Sequence, residues 1–164
     1  MAKIEFKKGD DYMKKIEALE RNVRYKVIGV ALYDGAKIVA DAVQGGISSI
    51  PTVPPNSWAT PTNPNAGITA KQKAGLHNSF GIAKMQDDSG YLNVKLGFDG
   101  YNDVVTKRWP SGQPNQMIAR SVERGTSLLQ ATPFMKASVA KSRTACIETM
   151  KEKADEEIQK IMKG

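Results

Sequence analysis

Apolar residues recur at intervals of three and four over residues 10–44, and this spacing predicts a long first helix. The first stripe consists of Tyr12, Ile16, Leu19, Val23, Val27 and Val30. A second stripe is displaced around the helix and consists of Ile28, Leu32, Ala36, Val39 and Val43. Gly45-Gly46 is the expected end of the helix. Because Gly29 and Gly35 interrupt its middle, the helix is predicted to be either kinked or apolar on two faces.

A different composition follows in residues 47–75, which hold five of the eight prolines and no acidic residue. The segment predicts a long loop or arm, and loops of this length are usually functional or disordered. Two interpretations stay open: a surface excursion, or an arm that becomes ordered on a partner. Val53 and Trp58 are the candidate partner contacts, because they are apolar side chains suited to docking.

Residues 76–99 carry the clearest β pattern. Residues 79–85 form a candidate strand, and Asp87-Asp88-Ser89-Gly90 has the composition of a turn. Beyond the turn, apolar residues alternate with polar residues or glycine at Leu92, Val94, Leu96 and Phe98. The pattern predicts an antiparallel hairpin with one buried face.

Two further helices are predicted after the hairpin. A short helix spans residues 115–125, with Asn115 as its cap and Gly125 at its C-terminal end. A long helix spans residues 132–162 and begins at Thr132-Pro133, an N-cap followed by proline at the first helical position. Together the elements predict one α+β domain over residues 1–164, with two long helices and a small antiparallel sheet.

The two long helices offer more apolar surface than one hairpin covers. An exposed apolar face marks an interaction site. We therefore expect self-association, in a ring or a dimer, to cover the second stripe of the first helix.

Composition narrows the class of protein. The chain has 164 residues, 40% of them hydrophobic and 25% charged, which is typical of a folded soluble domain. Its net charge of +7 makes an anionic partner a hypothesis to test. However, residues 1–45, 46–75, 76–132 and 133–164 carry +2, +2, +1 and +2, so the excess is spread evenly. This distribution favours a solvated surface over a nucleic-acid-binding patch.

The residue inventory predicts no catalytic, metal or cofactor site. One cysteine, Cys146, and one histidine, His77, form neither an internal disulfide nor a zinc site, and His77 has no nucleophile motif beside it. The carboxylate pairs Asp10-Asp11 and Asp87-Asp88 are explained by a helix N-terminus and a turn. Asp99, Asn102 and Asp103 resemble a calcium loop only faintly, because the spacing of the glycine and of the terminal glutamate is wrong. No apolar run is long enough for a membrane span or a secretory leader, so we expect a cytoplasmic location without membrane contact.

One segment points to a family. Val122-Glu123-x-Gly125-Thr126, followed by Pro133-Phe134 at the start of the last helix, resembles the tail-completion or head–tail joining proteins of long-tailed bacteriophages. These proteins of the phage neck are also described as minor tail components. The segment from Ala74 to Ile82 is similar to that family's small-Gly-Leu-x-x-Ser-Ile sequence, and the order of elements matches.

The resemblance implies a non-enzymatic virion protein, assembled in the host cytoplasm, that forms a homo-oligomeric ring, expected to be a hexamer. The ring would join a head connector, stopper or head-completion protein to a tail terminator or tail-tube protein. Genomic DNA would pass through its lumen without sequence-specific binding. Two alternatives stay open: the tail terminator itself, and a small basic nucleic-acid-binding protein of a different class.

The shared motif also has a structural interpretation. We expect Glu123 to accept hydrogen bonds around Gly125 and Thr126 and to pair with Arg120 or Arg124. We expect Phe134 to anchor the last helix against the sheet. Both duties are structural and do not describe a reaction centre.

Overall fold

The computed structural model describes residues 2–5 and 21–163 of the chain. The elements, in chain order, are β1 (Ala2–Glu5), α1 (Arg21–Ser49), α2 (Ala70–Ser79), β2 (Phe80–Ile82), β3 (Gln86–Asp88), β4 (Tyr91–Phe98), α3 (Asn115–Arg124) and α4 (Phe134–Lys163). The predicted α+β class, with two long helices and a small antiparallel sheet, is confirmed. The proposed helix start near residue 10 and the stripe residues Tyr12, Ile16 and Leu19 lie outside the described residues.

The chain divides into two compact units. The first comprises Met1–Val39, Ile82–Leu96 and Ser142–Gly164, and the second comprises Ala40–Gly81 and Gly97–Lys141. Both long helices and strand β4 contribute residues to each unit. The prediction of one domain over residues 1–164 stays a prediction.

Strand β4 organises the sheet, because β1, β2 and β3 all pair with it. β1 runs antiparallel to β4 from Ala2↔Leu96 to Glu5↔Asn93. β3 pairs from Gln86↔Asn93 to Asp88↔Tyr91, which leaves Ser89-Gly90 as a two-residue turn. Both turn residues have positive φ, 58° and 93°, as a type I′ hairpin turn requires. The hairpin turn predicted at residues 87–90 is therefore confirmed.

A β-bulge separates β2 from β3. The Ala83 N–H donates to the Lys95 carbonyl at 2.8 Å, whereas Gln86 pairs with Asn93. Two residues, Lys84 and Met85, thus lie opposite the single residue Val94, which defines a bulge. The Met85 N–H, displaced from the ladder, donates to the Tyr33 hydroxyl of α1 at 2.8 Å. The continuous strand predicted over residues 79–85 is wrong, because helix α2 extends to Ser79 and the bulge interrupts the strand after Ile82.

The alternation along β4 is only partly as predicted. Leu92, Val94 and Leu96 are buried, but Asn93 between them is also buried. Its Nδ2 donates to the Asp88 carboxylate at 2.9 Å and to the Tyr91 carbonyl at 3.2 Å. The prediction of a single buried face is therefore wrong at this position, where a hydrogen-bonded amide replaces a solvated side chain.

Helix α1 does not stop at Gly45-Gly46, as the sequence predicts, but continues to Ser49. The reason is tertiary packing. A Cβ on Gly46 would lie 2.5 Å from Ser138 Oγ and 3.2 Å from the Phe134 carbonyl oxygen of α4. The missing side chain thus permits a close helix contact, which outweighs the loss of about 1 kcal/mol in helix propensity.

Four of the five residues of the second apolar stripe of α1 are buried within one chain, and Ile28 is half-buried. Leu32, Ala36 and Val43 are fully buried and Val39 is 3% exposed. The expectation that a second copy must cover this stripe is therefore wrong. These side chains form part of the hydrophobic core of their own chain.

Helix α2 occupies part of the predicted loop and of the predicted hairpin segment. It starts at Thr69, whose hydroxyl accepts from the Gln72 N–H, while the Gln72 side chain accepts from the Thr69 N–H. This reciprocal capping box satisfies N–H groups that a helix start leaves unpaired. The loop therefore ends at residue 69 rather than 75, and the hairpin begins at Phe80 rather than 76.

The last two helices agree with prediction to within two residues. Helix α3 ends at Gly125, which has φ of 72° and whose N–H donates to the Ser121 carbonyl. Asn115 is not its cap: Pro114 holds that position, and Asn115 Nδ2 donates to the Asp99 carbonyl. The buried line of α4 is formed by small or apolar residues as far as Ala154, namely Phe134, Ser138, Ser142, Cys146, Met150 and Ala154, and continues to the glutamate Glu157.

The two neighbouring glycines of α1 are expected to respond oppositely to alanine. Gly45→Ala should raise the free energy of unfolding by about 0.5–1 kcal/mol, because a Cβ there meets nothing within 4 Å and helix propensity improves. Gly46→Ala should lower it by about 1–3 kcal/mol through overpacking against Ser138 and Phe134. Urea unfolding of both variants measures this; a shift of the same sign in both would contradict the close contact at Gly46.

Candidate interaction surface

Glu123 joins the end of α3 to the beginning of α4. Its carboxylate accepts the Met135 N–H at 2.8 Å and the Lys136 N–H at 2.9 Å. These two donors lie in the first turn of α4, where backbone N–H groups have no partner within the helix. A carboxylate there forms charge-assisted hydrogen bonds and opposes the positive end of the helix dipole.

These partners differ from the predicted ones. The sequence predicts hydrogen bonds around Gly125 and Thr126. Instead, the Glu123 carboxylate accepts from N–H groups that lie 12 and 13 positions further along the chain. Among the described side chains, neither Arg120 nor Arg124 forms an ion pair with Glu123. Glu123 thus has a structural role, as predicted, but it accepts hydrogen bonds from donors other than the predicted ones.

The rest of the motif shapes the reversal between the helices. Thr126 and Leu129 exchange backbone hydrogen bonds of 2.8 and 3.3 Å, which closes a tight turn. The Thr132 N–H then donates to the Val122 carbonyl at 2.7 Å, just before Pro133. A Cβ on Gly125 would lie about 3 Å from the Ala131 nitrogen, so close approach and positive φ both favour glycine there.

The apolar members of the motif lie in the core, where the sequence places them. Val122 is 1% exposed and Phe134 is 4% exposed. The Phe134 ring meets the Phe98 ring of β4 edge-on at 6.2 Å, and Phe98 meets Phe80 of β2 at 5.0 Å. The expected anchoring of the last helix against the sheet by Phe134 is thus observed.

The proline-rich loop, residues 50–69, is held within the chain. The Val53 N–H donates to the Ile68 carbonyl, and the Ile68 N–H donates to the Pro51 carbonyl, so the two legs of the loop pair. Asn65 forms two further backbone hydrogen bonds, with the Leu128 carbonyl and the Gln130 N–H. These bonds tie the two legs of the loop to each other and to the turn after α3 within one chain.

A cleft of about 230 Å³ opens beneath this loop. Its lining is polar and apolar in about equal parts and comes from the loop, from α2 and α3, and from the turn after α3: Val53, Pro54, Pro55, Ser57, Asn65, Gly67, Ile68, Thr69, Gln72, Ile118, Ser121, Leu128 and Leu129. None of these residues is charged. The candidate contact Val53 therefore forms part of a concave surface.

Trp58, the other candidate contact, points away from the cleft. Its side chain is 94% exposed, whereas its neighbour Ser57 lines the cleft. Residues 51–69 contain no charged residue, although 25% of the whole chain is charged. An exposed aromatic on an uncharged surface has the composition of an interface core. Trp58 and the cleft together are here termed the loop surface.

His77, Asp87 and Asp99 form hydrogen bonds with neighbouring groups of the fold. His77 Nδ1 lies 2.6 Å from Gln44 Oε1, and Gln44 Nε2 donates to the His77 carbonyl. Asp87 accepts from the Gly90 N–H and Asp99 from the Gly100 N–H, both in turns. The pair Asp10-Asp11 lies outside the described residues.

Metal and membrane features were sought in the same part of the chain. Within residues 2–5 and 21–163, no three His, Cys, Asp or Glu side chains converge as metal ligands. No described helix has the length and apolar character needed to cross a bilayer.

Comparisons with known proteins add no family. No protein-family model, no curated protein and no solved structure matches the chain.

Loss of the Glu123 carboxylate is expected to destabilise the fold. Glu123→Ala should lower the free energy of unfolding by about 1–2 kcal/mol, because the first turn of α4 loses its capping acceptor. Glu123→Gln, which retains one acceptor oxygen, should lose less. Glu148→Ala, at an exposed glutamate in the middle of α4, is the control and should change stability by less than about 0.5 kcal/mol. Thermal unfolding of Glu123→Ala at the parent temperature would contradict the capping role.

The single thiol is expected to react slowly in the native protein. Cys146 is 4% exposed, and burial raises the pKa of its thiol, which disfavours the nucleophilic thiolate. At pH 8 a disulfide reagent should modify Cys146 at least tenfold more slowly in buffer than in denaturant. Ile147→Cys in a Cys146→Ser background, at a neighbouring position that is 42% exposed, should react rapidly. Equal native rates at both positions would contradict the burial.

Proposed function

We propose that this protein is a non-enzymatic structural subunit of the neck of a long-tailed bacteriophage. In this proposal it forms a homo-oligomeric ring, a hexamer by resemblance, at the junction between head and tail. One face of the ring meets a connector, stopper or head-completion protein, and the other meets a tail terminator or tube protein. Genomic DNA passes through the lumen without sequence-specific recognition.

The observation that carries the proposal is the role of the shared motif. Glu123 accepts backbone N–H groups of α4, Gly125 turns the chain, and Phe134 packs on the sheet. These three residues of the motif thus have roles in building the scaffold. The proposal of a structural protein therefore rests on analogy with the family that this segment resembles.

The loop surface supports an assembly role independently. A structural subunit must offer its partners a surface of low charge and defined shape. Residues 51–69 carry such a surface, with Trp58 exposed and a cleft beside it. The apolar stripe of α1 no longer supports oligomerisation, because Leu32, Ala36 and Val43 are buried within the single chain.

The proposal predicts a defect in joining heads to tails. Particles assembled without the protein should accumulate as filled heads and separate tails in electron micrographs. Purified protein should form rings by electron microscopy, with a mass by light scattering that corresponds to about six copies. Normal tailed particles in the absence of the protein would overturn the proposal.

The two alternatives give different results in the same preparations. A tail terminator leaves tails of irregular length when it is missing, whereas a joining protein leaves tails of normal length. A nucleic-acid-binding protein of the small basic class loses affinity for DNA steeply with salt, by about 10³ or more between 50 and 200 mM. The ring subunit should bind DNA weakly and without sequence preference.

A further inference from the structure

We infer that Trp58 of one copy inserts into the cleft of a second copy of this chain. The inference deepens the proposed function, on which it rests, by naming the contact through which subunits of the ring would associate. The contact would consist of the exposed Trp58 side chain of one copy and the cleft of the other, and both belong to the loop surface. Both lie within the second unit, so each copy presents both.

The exposure of Trp58 is the first observation. Tryptophan is highly buried on average in folded proteins, yet this side chain is 94% exposed. An indole of this kind exposes about 150–250 Å² that is better removed from water. Trp58 lies in a loop whose legs are tied by backbone hydrogen bonds on both sides of it, at Val53–Ile68 and Thr60–Asn63.

The size of the cleft is the second observation. Its 230 Å³ exceeds the roughly 150 Å³ of an apolar cavity that binds benzene. It is smaller than the range of about 300–1,000 Å³ for pockets that take drug-sized ligands. One bicyclic side chain is therefore an occupant of suitable size. Ser57 and Asn65 on its wall supply oxygen atoms that can accept a hydrogen bond from the indole N–H.

The cleft is not filled by the Trp58 of its own chain. Ser57 lines the cleft, and the next side chain along the loop is almost fully exposed. The same copy thus presents an unfilled cleft and an unburied tryptophan. Contacts of this complementary kind join separate copies, and they form a closed ring where the rotation between copies permits it.

Charge favours a second copy as the occupant. Two chains with a net charge of +7 repel each other at most approaches. Residues 51–69 and the residues that line the cleft carry no charge, so the contact of the tryptophan with the cleft itself adds no like-charge repulsion.

The area of the contact sets its strength. Insertion of one tryptophan buries about 150–250 Å² of that side chain, whereas stable interfaces bury about 1,200–2,000 Å² in total. An isolated pair joined only in this way should therefore dissociate readily. Association should rise steeply with concentration and be strongest where each copy makes the contact with two neighbours.

The first experiment is sedimentation of purified full-length protein over a range of concentrations. Trp58→Ala should weaken association at least tenfold. Tyr91→Ala removes an aromatic side chain that is 77% exposed on the hairpin, and it should associate like the parent. Leu128→Asp places a charge in the cleft at a position that is 47% exposed, so the fold should tolerate it, and it should also weaken association at least tenfold.

Mixing the two defective variants tests the pairing directly. Trp58→Ala retains its cleft, and Leu128→Asp retains its tryptophan. The mixture should therefore form pairs through one intact contact, although each variant alone stays monomeric. In a Trp109→Phe background, the fluorescence of Trp58 should shift to shorter wavelength as concentration rises.

The outcomes separate the inference from the proposed function. Rings that form equally well with Trp58→Ala would overturn the inference and leave the proposed ring in place. A parent that associates through Trp58 but stops at two copies would support the inference and overturn the ring. A wavelength shift that is independent of concentration, or a parent that stays monomeric throughout, would overturn the inference.

Discussion

The start of helix α4 depends on a carboxylate that precedes it by more than ten residues. Glu123 supplies acceptors to Met135 and Lys136, so the geometry of α3, the turn at Gly125 and the position of Phe134 are fixed together. Phe134 in turn contacts Phe98 at the end of β4. This segment is therefore a joint that connects α3, the start of α4 and the end of β4.

Local signals allowed much of the fold to be predicted. The type I′ turn at Ser89-Gly90 and the C-terminal glycine of α3 act within a few residues, so the sequence shows them. The Thr69-Gln72 capping box has an equally local signal, but it lies at the end of a proline-rich segment whose composition dominated the prediction. The predicted end of α1 at Gly45-Gly46 is wrong for a different reason. The helix continues because the close contact of Gly46 with Ser138, far along the chain, outweighs the low helix propensity of glycine.

Only part of the candidate site could be predicted from the sequence. The composition of residues 51–69 identified Val53 and Trp58, because a proline-rich segment without charge differs from the rest of the chain. The cleft could not be predicted, since its wall combines that loop with Ile118, Ser121 and Leu128 from a distant segment. Tertiary structure brings these residues together, and no spacing along the chain encodes their proximity.

The bulge at Lys84-Met85 has a consequence for the behaviour of the sheet in solution. It divides the arm that pairs with β4 into two pieces of three residues each, β2 and β3. A strand from another molecule would find no long, flat row of N–H and C=O groups on that arm, and such rows are the usual template for aggregation. The interruption thus disfavours strand pairing between molecules, and hence fibre formation, on this side of the sheet.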